Sequence, residues 1–560
     1  MKQHLWRFFG GLKLNGKKHI SMTQVVHPAA IPPRLVIPLH QHIGSEAEPV
    51  VNPGDKVLKG QLIAKASDYV SASIHASSSG TVVAIEQRAI PHPSGLYGTC
   101  IVIDTDGEDH WCELQAVNHY TQLDPSALRN VIRDAGIVGL GGAGFPSYIK
   151  LNPGPKKYVD TLILNGAECE PYISCDAMLM QYQPRRILDG LLIMKHALRA
   201  QRCIIAVEDN KKVAHTQLVN ALHEHESDFI SIVQIPTIYP TGGEKQLIKV
   251  LTGKEVPAQS LPLNLGIVCH NVATAVAVAD AIDFGQPLIS RVVTVSGEAL
   301  AEPQNLDVLI GTPFQQLLSH CGWQAEKPGP VIMGGPMMGF EVPALDIPVI
   351  KTTNCVLALK PAPQQAQAAM PCIRCGRCAQ VCPVQLLPQQ LYWHARAKDF
   401  DRAQDYHLFD CIECGCCAHV CPSHIPLVQY YRFAKTGIWS QEREKRKADI
   451  ARERHEYRAF RLERKKQEDE ERKQHKKAML KKTQGQKSAG NGEQQADINK
   501  ATIEAAMARV KARREQQAGE QRNVDNLTAQ QREAIETIED RRRRLLDAES
   551  GSVSPEEDAG

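Results

Sequence analysis

The sequence lacks a long, uninterrupted apolar run of the kind that crosses a membrane. Its longest apolar stretch, residues 267–284, contains a histidine, an asparagine and two aspartates, so it is a poor candidate for a membrane span. The N-terminus lacks the pattern of a secretory signal, because residues 1–11 are only briefly apolar and Lys13, Lys17 and Lys18 follow. We therefore expect no transmembrane helix in this chain, and expect any membrane attachment to depend on partners.

A strong charge of one sign is also missing. The formal net charge is +3, and charges of both signs are mixed in the C-terminal part, although it includes the arginine run 541–544. Nucleic-acid binding needs an unbalanced basic patch, so we expect no nucleic-acid partner. The 17 cysteines of a chain without an export signal argue against a disulfide scaffold. Six scattered cysteines are expected to be small buried hydrophobic residues: Cys100, Cys112, Cys203, Cys269, Cys321 and Cys355.

The residue pattern divides the chain into modules and predicts a multidomain fold that combines α/β and all-β parts. One region is rich in valine, isoleucine, glycine and proline in short alternating runs, which predicts an all-β module. The next alternates strand-like and helix-like runs, which is typical of an α/β layer fold. The expected boundaries are an N-terminal segment (1–34), the all-β module (35–115), the α/β module (120–285), a smaller unit with a strand at 291–296 (290–345), a cysteine-rich module (365–435) and a charged, low-complexity tail that is helical or disordered (440–560).

Two copies of the pattern Cys-x2-Cys-x2-Cys-x3-Cys-Pro, residues 372–383 and 411–422, form the only internal repeat. A [4Fe–4S] cluster needs four converging thiolates, and in two-cluster ferredoxins the fourth cysteine of each run ligates the other cluster. The pattern therefore predicts two [4Fe–4S] clusters with crossed ligand sets. These are Cys372, Cys375, Cys378 and Cys421 for cluster 1, and Cys382, Cys411, Cys414 and Cys417 for cluster 2.

A pair of zinc sites is the structural alternative for this repeat. Zinc sites usually combine two Cys-x2-Cys units or include histidine, and a repeated x3-Cys-Pro ending is not their pattern. Cys416 lies inside the second run but outside the ligand spacing, so we expect it to lie near cluster 2 without ligating it. Gly376 and Gly415 are expected to allow the tight bends of the two runs, and a helix is predicted over residues 386–400.

A glycine-rich run, Gly-Leu-Gly-Gly-Ala-Gly-Phe-Pro, occupies residues 139–146. Such a run lets backbone N–H groups approach a phosphate or a flavin, although alone it is equally typical of a structural turn. The segment Asn-Gly-Ala-Glu-Cys-Glu-Pro at 165–171 ends a predicted buried strand, which is where open α/β sheets bind ligands. Two further segments, Tyr-Pro-Thr-Gly-Gly-Glu at 239–244 and Asn-Val-Ala-Thr at 271–274, complete the set.

Together these segments resemble the NADH-binding flavoprotein subunit of respiratory complex I. The resemblance implies a Rossmann-like domain with FMN on the glycine-rich loop, Lys150 near its phosphate, and Asn165 and Asn271 near its ring system. It also implies NAD(H) stacked on the flavin, with Phe145 against the adenine. The matching residues are Gly139, Gly141, Gly142, Gly144, Phe145, Lys150, Asn165, Glu168, Glu170, Tyr239, Gly242, Glu244, Asn271 and Thr274.

The sequence departs from that flavoprotein pattern at several positions. Leu140, Cys169 and Gly243 replace an arginine, a serine and an acidic residue, and the second adenine-stacking aromatic is absent near Pro153. A fold that persists without flavin is therefore the alternative to FMN binding, and NAD(H) is expected as a possible substrate only. No catalytic residue is identified.

The flanking modules resemble other known domains. Residues 52–57, 60–62 and 79–82 are similar to biotinyl/lipoyl-type barrel-sandwich domains. The corresponding hairpin tip, residues 68–71, has no lysine to modify, so a docking or structural role is expected. Residues 290–345 resemble the β-grasp SLBB domain, and residues 365–435 resemble a helical two-cluster ferredoxin module.

This order of modules resembles the C subunits of Rnf ion-translocating oxidoreductase complexes. The resemblance implies membrane subunits A, D and E and electron-carrier subunits B and G as partners. It also implies a peripheral position on the cytoplasmic side of the bacterial inner membrane.

The expected function is that of an oxidoreductase (translocase) subunit, which passes electrons between an NAD(H)/FMN site and two [4Fe–4S] clusters. The complex would couple electron transfer between ferredoxin and NAD(H) to ion translocation. Two alternatives stay open: a soluble flavin and iron–sulfur reductase similar to cobalamin reductases, and a non-catalytic electron-relay scaffold that binds no nucleotide. Flavin extraction and an NADH titration of cluster reduction would distinguish the scaffold from the catalytic alternatives.

Overall fold

The computed structural model describes residues 4–154, 157–224, 227–323, 329–361, 368–485 and 503–511. The chain divides into two compact units, Met1–Lys445 and Arg446–Gly560. Within the described ranges, every helix is too short or too polar to span a membrane.

The N-terminal segment runs across two later modules and contains one short strand, β1 (His27–Pro28). Leu12 and Tyr239 exchange backbone hydrogen bonds of 2.7 and 2.8 Å, and the Gly11 N–H donates to the Val381 carbonyl at 3.0 Å. Gly10 has a φ of +67°, and a Cβ there would lie 2.6 Å from the Val381 carbonyl. The segment therefore ties the α/β module to the cysteine-rich module through backbone contacts that only glycine allows at residue 10.

The all-β module consists of two small antiparallel sheets around one apolar core. The strand orders are β2-β8-β7-β4 and β3-β5-β6. Leu35, Ile37, Ile63 and Ile101 are fully buried between the sheets. The strands are β2 (Arg34–Pro38), β3 (Glu48–Pro49), β4 (Lys56–Val57), β5 (Leu62–Lys65), β6 (Ile74–His75), β7 (Gly80–Ala89) and β8 (Tyr97–Thr105).

The α/β module has a four-stranded parallel sheet of order β11-β10-β9-β12. Alternate side chains of β9 enter different cores, with Leu162 and Leu164 on one face and Ile163 on the other, so helices cover both faces. Its elements are α1 (Pro125–Asp134), α2 (Ser147–Lys150), β9 (Thr161–Gly166), α3 (Cys175–Tyr182), α4 (Pro184–Leu198), β10 (Arg202–Glu208), α5 (Lys212–His223), β11 (Ile230–Ile235), α6 (Glu244–Thr252), β12 (Ile267–Asn271) and α7 (Val272–Asp283).

The third module has a six-stranded sheet of order β1-β14-β13-β17-β15-β16. It reaches beyond the predicted range 290–345, because β1 pairs with β14 and forms one edge of the sheet, and the fully buried β17 lies at its centre. Pairing between segments so distant in sequence leaves no local pattern that sets the boundary. The elements are β13 (Ser290–Ser296), β14 (Gln304–Leu309), α8 (Phe314–His320), β15 (Val331–Met333), β16 (Phe340–Glu341) and β17 (Cys355–Ala358).

The cysteine-rich module is built from short helices. The predicted helix over 386–400 is shorter than expected, because Lys398 takes a left-handed φ of 57° and the Asp399 side chain caps the next helix. The helices are α9 (Arg377–Gln380), α10 (Pro388–Ala397), α11 (Phe400–Asp405), α12 (Cys416–His419) and α13 (Leu427–Gly485). Tyr431, Ala434 and Ile438 at the start of α13 belong to the core of this module.

The charged tail is helical where it is described. Nearly all side chains between residues 446 and 480 of α13 are exposed, and residues 503–511 are also helical. The remainder of the predicted tail, residues 486–502 and 512–560, lies outside the described residues.

Five of the six scattered cysteines are buried, as expected, while Cys112 is half-exposed. Cys112 lies after β8, the last strand of the all-β module, in the segment that pairs with Lys59. Burial raises the pKa of Cys100, Cys203, Cys269 and Cys321 to about 12, so these thiols stay protonated and behave as apolar groups.

Lys351 joins three modules from a fully buried position. Its ammonium donates to the carbonyl oxygens of Ser73 and Gly136, both at 2.7 Å, and its backbone N–H donates to the Gln41 side chain at 3.0 Å. Burial lowers the pKa of Lys351 to about 7. The folded chain therefore disfavours the charged form of this side chain.

We expect Lys351→Met to remove a pH dependence of stability. Between pH values of about 7 and 10.5, Lys351 is neutral in the folded chain and protonated in the unfolded chain. The unfolded state then binds more protons, so the wild-type free energy of unfolding rises by up to about 1.4 kcal/mol per pH unit in that window. Urea unfolding of both proteins across the window measures this slope. Parallel pH profiles for wild type and variant would contradict it.

Candidate functional site

A pocket of about 600 Å³ lies at the edge of the α/β sheet where the strands end. The α/β module contributes residues of the glycine-rich loop, of the segment after β9 and of the turn before α6. The third module closes the pocket with residues between Met333 and Phe340. The carboxyl ends of parallel strands are the usual ligand site of such sheets, so the pocket lies where a ligand is expected.

The pocket fits a flavin mononucleotide by its size and by its backbone. Gly142 has a φ of +105° and no atom within 4 Å of the position that a Cβ would take, so the loop leaves open space for a ligand. Helices α6 and α7 begin at Glu244 and Val272, beside the lining residues Gly243 and Asn271. Helix N-termini and glycine-rich backbone are the groups that bind phosphate in proteins.

Most residues that the flavoprotein resemblance selected lie on the pocket wall. These are Gly141, Gly142, Asn165, Glu168, Glu170, Tyr239, Gly242, Glu244 and Asn271. The two asparagines hold the wall in place through side-chain amide bonds. Asn165 donates to the Gly242 carbonyl at 2.9 Å, and Asn271 donates to the Asp176 carboxylate at 2.6 Å.

Five selected residues lie outside this lining: Gly139, Gly144, Phe145, Lys150 and Thr274. Gly139 and Gly144 close the loop through backbone bonds, including one from the Gly139 N–H to the Phe145 carbonyl at 2.8 Å. The Thr274 hydroxyl on α7 accepts a hydrogen bond from the Leu140 N–H at 3.0 Å and so anchors the loop to α7. Lys150 is engaged by the Glu244 carboxylate at 2.7 Å and the Cys269 carbonyl at 2.9 Å.

Glu168 sits on a buried network of charged side chains behind the pocket. Its carboxylate accepts from the backbone N–H groups of Asp176 and Ala177 at the start of α3 and lies 3.4 Å from the Lys211 ammonium. Lys211 also pairs with the fully buried Glu208 at 3.4 Å. Burial opposes the charge on Lys211, but Glu168 and Glu208 raise its pKa. The network thus holds three carboxylates, those of Glu168, Glu208 and Asp176, next to the pocket.

Two acids of the pocket are more easily protonated than usual. Burial, together with the neighbouring Glu168, raises the pKa of Asp176 to about 6. Burial also raises the pKa of Glu170, whose carboxylate accepts from the Met337 N–H at 2.6 Å and the Met338 N–H at 3.0 Å. Glu170 thereby ties the third module to the pocket wall, so its carboxylate has a structural task as well as a place in the lining.

The N-terminal segment supplies a buried lysine that the sequence patterns did not indicate. The Lys18 ammonium donates to the backbone carbonyls of Glu168, Glu170 and Ile173 at 2.5 to 3.0 Å. No local pattern marks a lysine so far from the α/β module as part of its site. Lys211 was also missed, although it follows the end of β10 at the same edge of the sheet and could have been found by that placement.

Two cavities in the cysteine-rich module are lined by the eight repeat cysteines. Cavity 1 is lined by Cys372, Cys375, Cys378 and Cys421. Cavity 2 is lined by Cys382, Cys411, Cys414 and Cys417, and also by Cys416. The structure thus groups the eight thiols into two sets of four, with the fourth cysteine of each run in the other run's set. Four thiols around each space are the donor set that a [4Fe–4S] cluster requires.

Cavity 2 adjoins the pocket at the edge of the α/β sheet. Ile412 lines both, and the Tyr239 hydroxyl, whose residue lines the pocket, donates to the Cys414 carbonyl at 2.6 Å. Tyr239, Cys414 and Cys416 form one buried apolar cluster with Cys169 and Met337 packed against it. The residues that line cavity 1 include none that line the pocket.

Comparison with known families assigns each module. Four family models match the chain: the RnfC barrel sandwich hybrid domain (residues 6–108), the Nuo51 FMN-binding domain (132–280), the SLBB domain (292–341) and the 4Fe-4S dicluster domain (371–425). They confirm the predicted fold class and the predicted cofactor types, FMN and iron–sulfur clusters.

Whole-chain relatives share one description, the C subunit of an ion-translocating oxidoreductase complex. The protein from Pseudomonas aeruginosa is 44% identical over 98% of this chain and 73% of its own length. Those from Serratia proteamaculans and Edwardsiella ictaluri are each 46% identical, over 91% and 92% of this chain and over 70% and 62% of their own lengths.

The chain belongs to this family of C subunits. The resemblance drawn from the sequence is confirmed. Among solved structures, an NAD+-reducing [NiFe]-hydrogenase in the air-oxidised state aligns at 22% identity over 50% of this chain and 54% of that chain. The TM-score of this alignment is 0.41.

Proposed function

We propose that this chain is the electron-transfer subunit of a membrane-associated, ion-translocating oxidoreductase complex, in which it exchanges electrons with NAD(H) and passes them through two [4Fe–4S] clusters. The observation that carries the proposal is that the pocket adjoins cavity 2: Ile412 lines both, and the hydroxyl of Tyr239 in the pocket wall donates to the carbonyl of Cys414 in the cavity lining. A pocket suited to a flavin is thereby placed against a set of four thiols. The family membership of the chain supports the same function.

The proposed ligands follow the grouping of the thiols. Cys372, Cys375, Cys378 and Cys421 would hold cluster 1, and Cys382, Cys411, Cys414 and Cys417 would hold cluster 2. The backbone of Gly141 and Gly142 and the N-termini of α6 and α7 would hold FMN. When bound, FMN supplies the exchange between two-electron and one-electron chemistry.

The chain's own residues set the order of the electron path. Ile412 and the Tyr239–Cys414 contact join cavity 2 to the pocket, whereas cavity 1 shares no lining residue with the pocket and is exposed to solvent at Cys375. Tyr431 lies near thiols of both cysteine sets: Cys378 of the first, and Cys382, Cys411 and Cys417 of the second. Its hydroxyl donates to the Pro388 carbonyl. Electrons would pass between the pocket and cluster 2, then cluster 1, then a partner.

The proposed partners are the other subunits of such a complex: membrane subunits A, D and E and electron carriers B and G. The relatives' shared description as one subunit of a complex supports the presence of further subunits. We place the chain peripherally on the cytoplasmic side of the bacterial inner membrane, where NAD(H) is available.

Anaerobic purification followed by cofactor analysis and an NADH titration tests this function. We expect about one FMN and about eight irons per chain, and reduction of both clusters by NADH. Protein with both clusters but without FMN, and with clusters that stay oxidised in NADH, would contradict the proposal and support a relay scaffold.

A further inference from the structure

The two copies of the cysteine repeat present the same face to different surroundings. In the second copy this face is covered. Ile412 lines the flavin-type pocket, and a Cβ at Gly415 would lie 2.6 Å from the Met337 carbonyl. Cys416, the next residue, is fully buried. This face of the second copy therefore forms the contact between cavity 2 and the pocket.

The corresponding face of the first copy is uncovered. Ile373, the counterpart of Ile412, is 67% exposed, and no atom lies within 4 Å of a Cβ placed at Gly376. Cys375 and Arg377 are exposed as well. We call the residues 373–377 the open face. The repeat thus presents a second surface with the same backbone pattern, and within the described part of the chain no atom covers it at Gly376.

The open face is basic, unlike its counterpart. It carries Arg374 and Arg377, and neither forms an ion pair within the described ranges. The residue that corresponds to Arg374 in the second copy is Glu413, which Arg432 and Lys435 engage at 2.8 Å. Residues 368–398 contain no aspartate or glutamate, so no neighbour in sequence offsets the two arginines.

We propose that the open face docks an acidic redox protein or domain that exchanges single electrons with cluster 1. The inference rests on the proposed function, since it needs a cluster in cavity 1. The exposed Ile373 and the neighbouring Arg374 and Arg377 provide an apolar group beside two positive charges, and carboxylates around the partner's redox centre would complement those charges. In the transfer, cluster 1 loses one electron and the partner's centre gains it, and no bond or proton is exchanged.

Electron transfer to two haem proteins of opposite charge tests the docking surface. The holoprotein, reduced with dithionite and freed of excess reductant, is mixed in a stopped-flow instrument with acidic cytochrome b5 or with basic cytochrome c. We expect the rate with cytochrome b5 to fall about tenfold or more as salt is raised. In the double variant Arg374→Glu/Arg377→Glu, the rate of electron transfer to cytochrome b5 at low salt should fall about tenfold or more. The rate of electron transfer to cytochrome c should rise.

A matched control separates a local effect from overall charge. Lys212→Glu/Lys254→Glu changes the net charge equally at exposed lysines of the α/β module and should leave both rates within about twofold. Equal slowing by the control, or an unchanged cytochrome b5 rate in the arginine variant, would overturn the docking surface. If the charge-reversal variant loses iron, the neutral variant Arg374→Gln/Arg377→Gln replaces it. Its rate with cytochrome b5, together with the salt dependence of the wild-type rate, then tests the docking surface.

Failure of the proposed function would look different. Wild-type protein without iron in cavity 1 would refute the proposed function itself, whereas retained iron with charge-independent rates would refute only the docking surface. Binding to phosphatidylglycerol vesicles that the arginine reversal abolishes, with an unchanged cytochrome b5 rate, would identify the open face as a lipid contact and overturn the inference.

Discussion

Cys414→Ala is expected to remove cluster 2 and leave cluster 1 in place. Iron and acid-labile sulfide should fall from about eight to about four per chain, because one of four thiolate ligands is lost. Cys414 is buried against Tyr239 and the pocket wall, so water has little access to replace the missing ligand. Colorimetric iron and sulfide analysis of anaerobically purified protein measures the change. Retention of all eight irons would contradict the assigned ligand set.

Cys416→Ala is the matched control for that variant. Cys416 lies two residues away, is fully buried and also lines cavity 2, but it falls outside the spacing of the repeat. The same loss of a buried thiol should therefore leave about eight irons per chain. Equal loss of iron from both variants would show that burial and packing, and not ligation, explain the effect at Cys414.

Gly142→Val is expected to abolish stable FMN binding. A valine would have to adopt the φ of +105°, which costs about 1–3 kcal/mol, and its side chain would occupy the open space of the loop. We expect FMN to bind about 10–100-fold more weakly, with the clusters retained. Flavin fluorescence after acid release, measured beside iron content, tests this. Full flavin occupancy in the variant would place FMN elsewhere.

Gly139→Ala gives the comparison within the same loop. A Cβ at Gly139 would lie 3.5 Å from the Phe145 carbonyl, an ordinary contact, and Gly139 does not line the pocket. The flavin content of Gly139→Ala should therefore match that of the wild type. Loss of flavin from both variants would mean that the loop tolerates no side chain at all, and that Gly142 has no special role in binding.

The sequence predicted the modules because each carries a local signal. Cysteine spacing, the glycine-rich loop and the strand-end segment after β9 are all readable within about ten residues of chain. The same is true of Asn165 and Asn271, which the structure places on the pocket wall. The FMN and iron–sulfur cofactor types are confirmed by the family models, while the individual ligand assignments stay predictions.

Features that depend on distant pairing could not be read in this way. The sheet positions of β1 and β17, the buried Lys18 and the closure of the pocket by residues 333–340 all join segments that lie far apart in sequence. The contacts of Lys150 with Glu244 and Cys269 also join distant segments, while its place near a phosphate stays a prediction. Local motifs identify chemistry, but tertiary contacts decide which side chain is free to perform it.

The order of the electron path is tested most directly with two single-cluster variants. Cys375→Ala removes a thiol from cavity 1, and Cys414→Ala removes one from cavity 2. Each holoprotein is mixed anaerobically with NADH and frozen at intervals for electron paramagnetic resonance. Both variants should keep FMN, which is measured in the same samples.

We expect the remaining cluster of Cys375→Ala to be reduced as fast as in the wild type. In Cys414→Ala the remaining cluster should be reduced at least about tenfold more slowly, because cluster 2 no longer connects it to the pocket. Fast reduction of the remaining cluster in Cys414→Ala, with slow reduction in Cys375→Ala, would contradict the path from the pocket through cluster 2 to cluster 1.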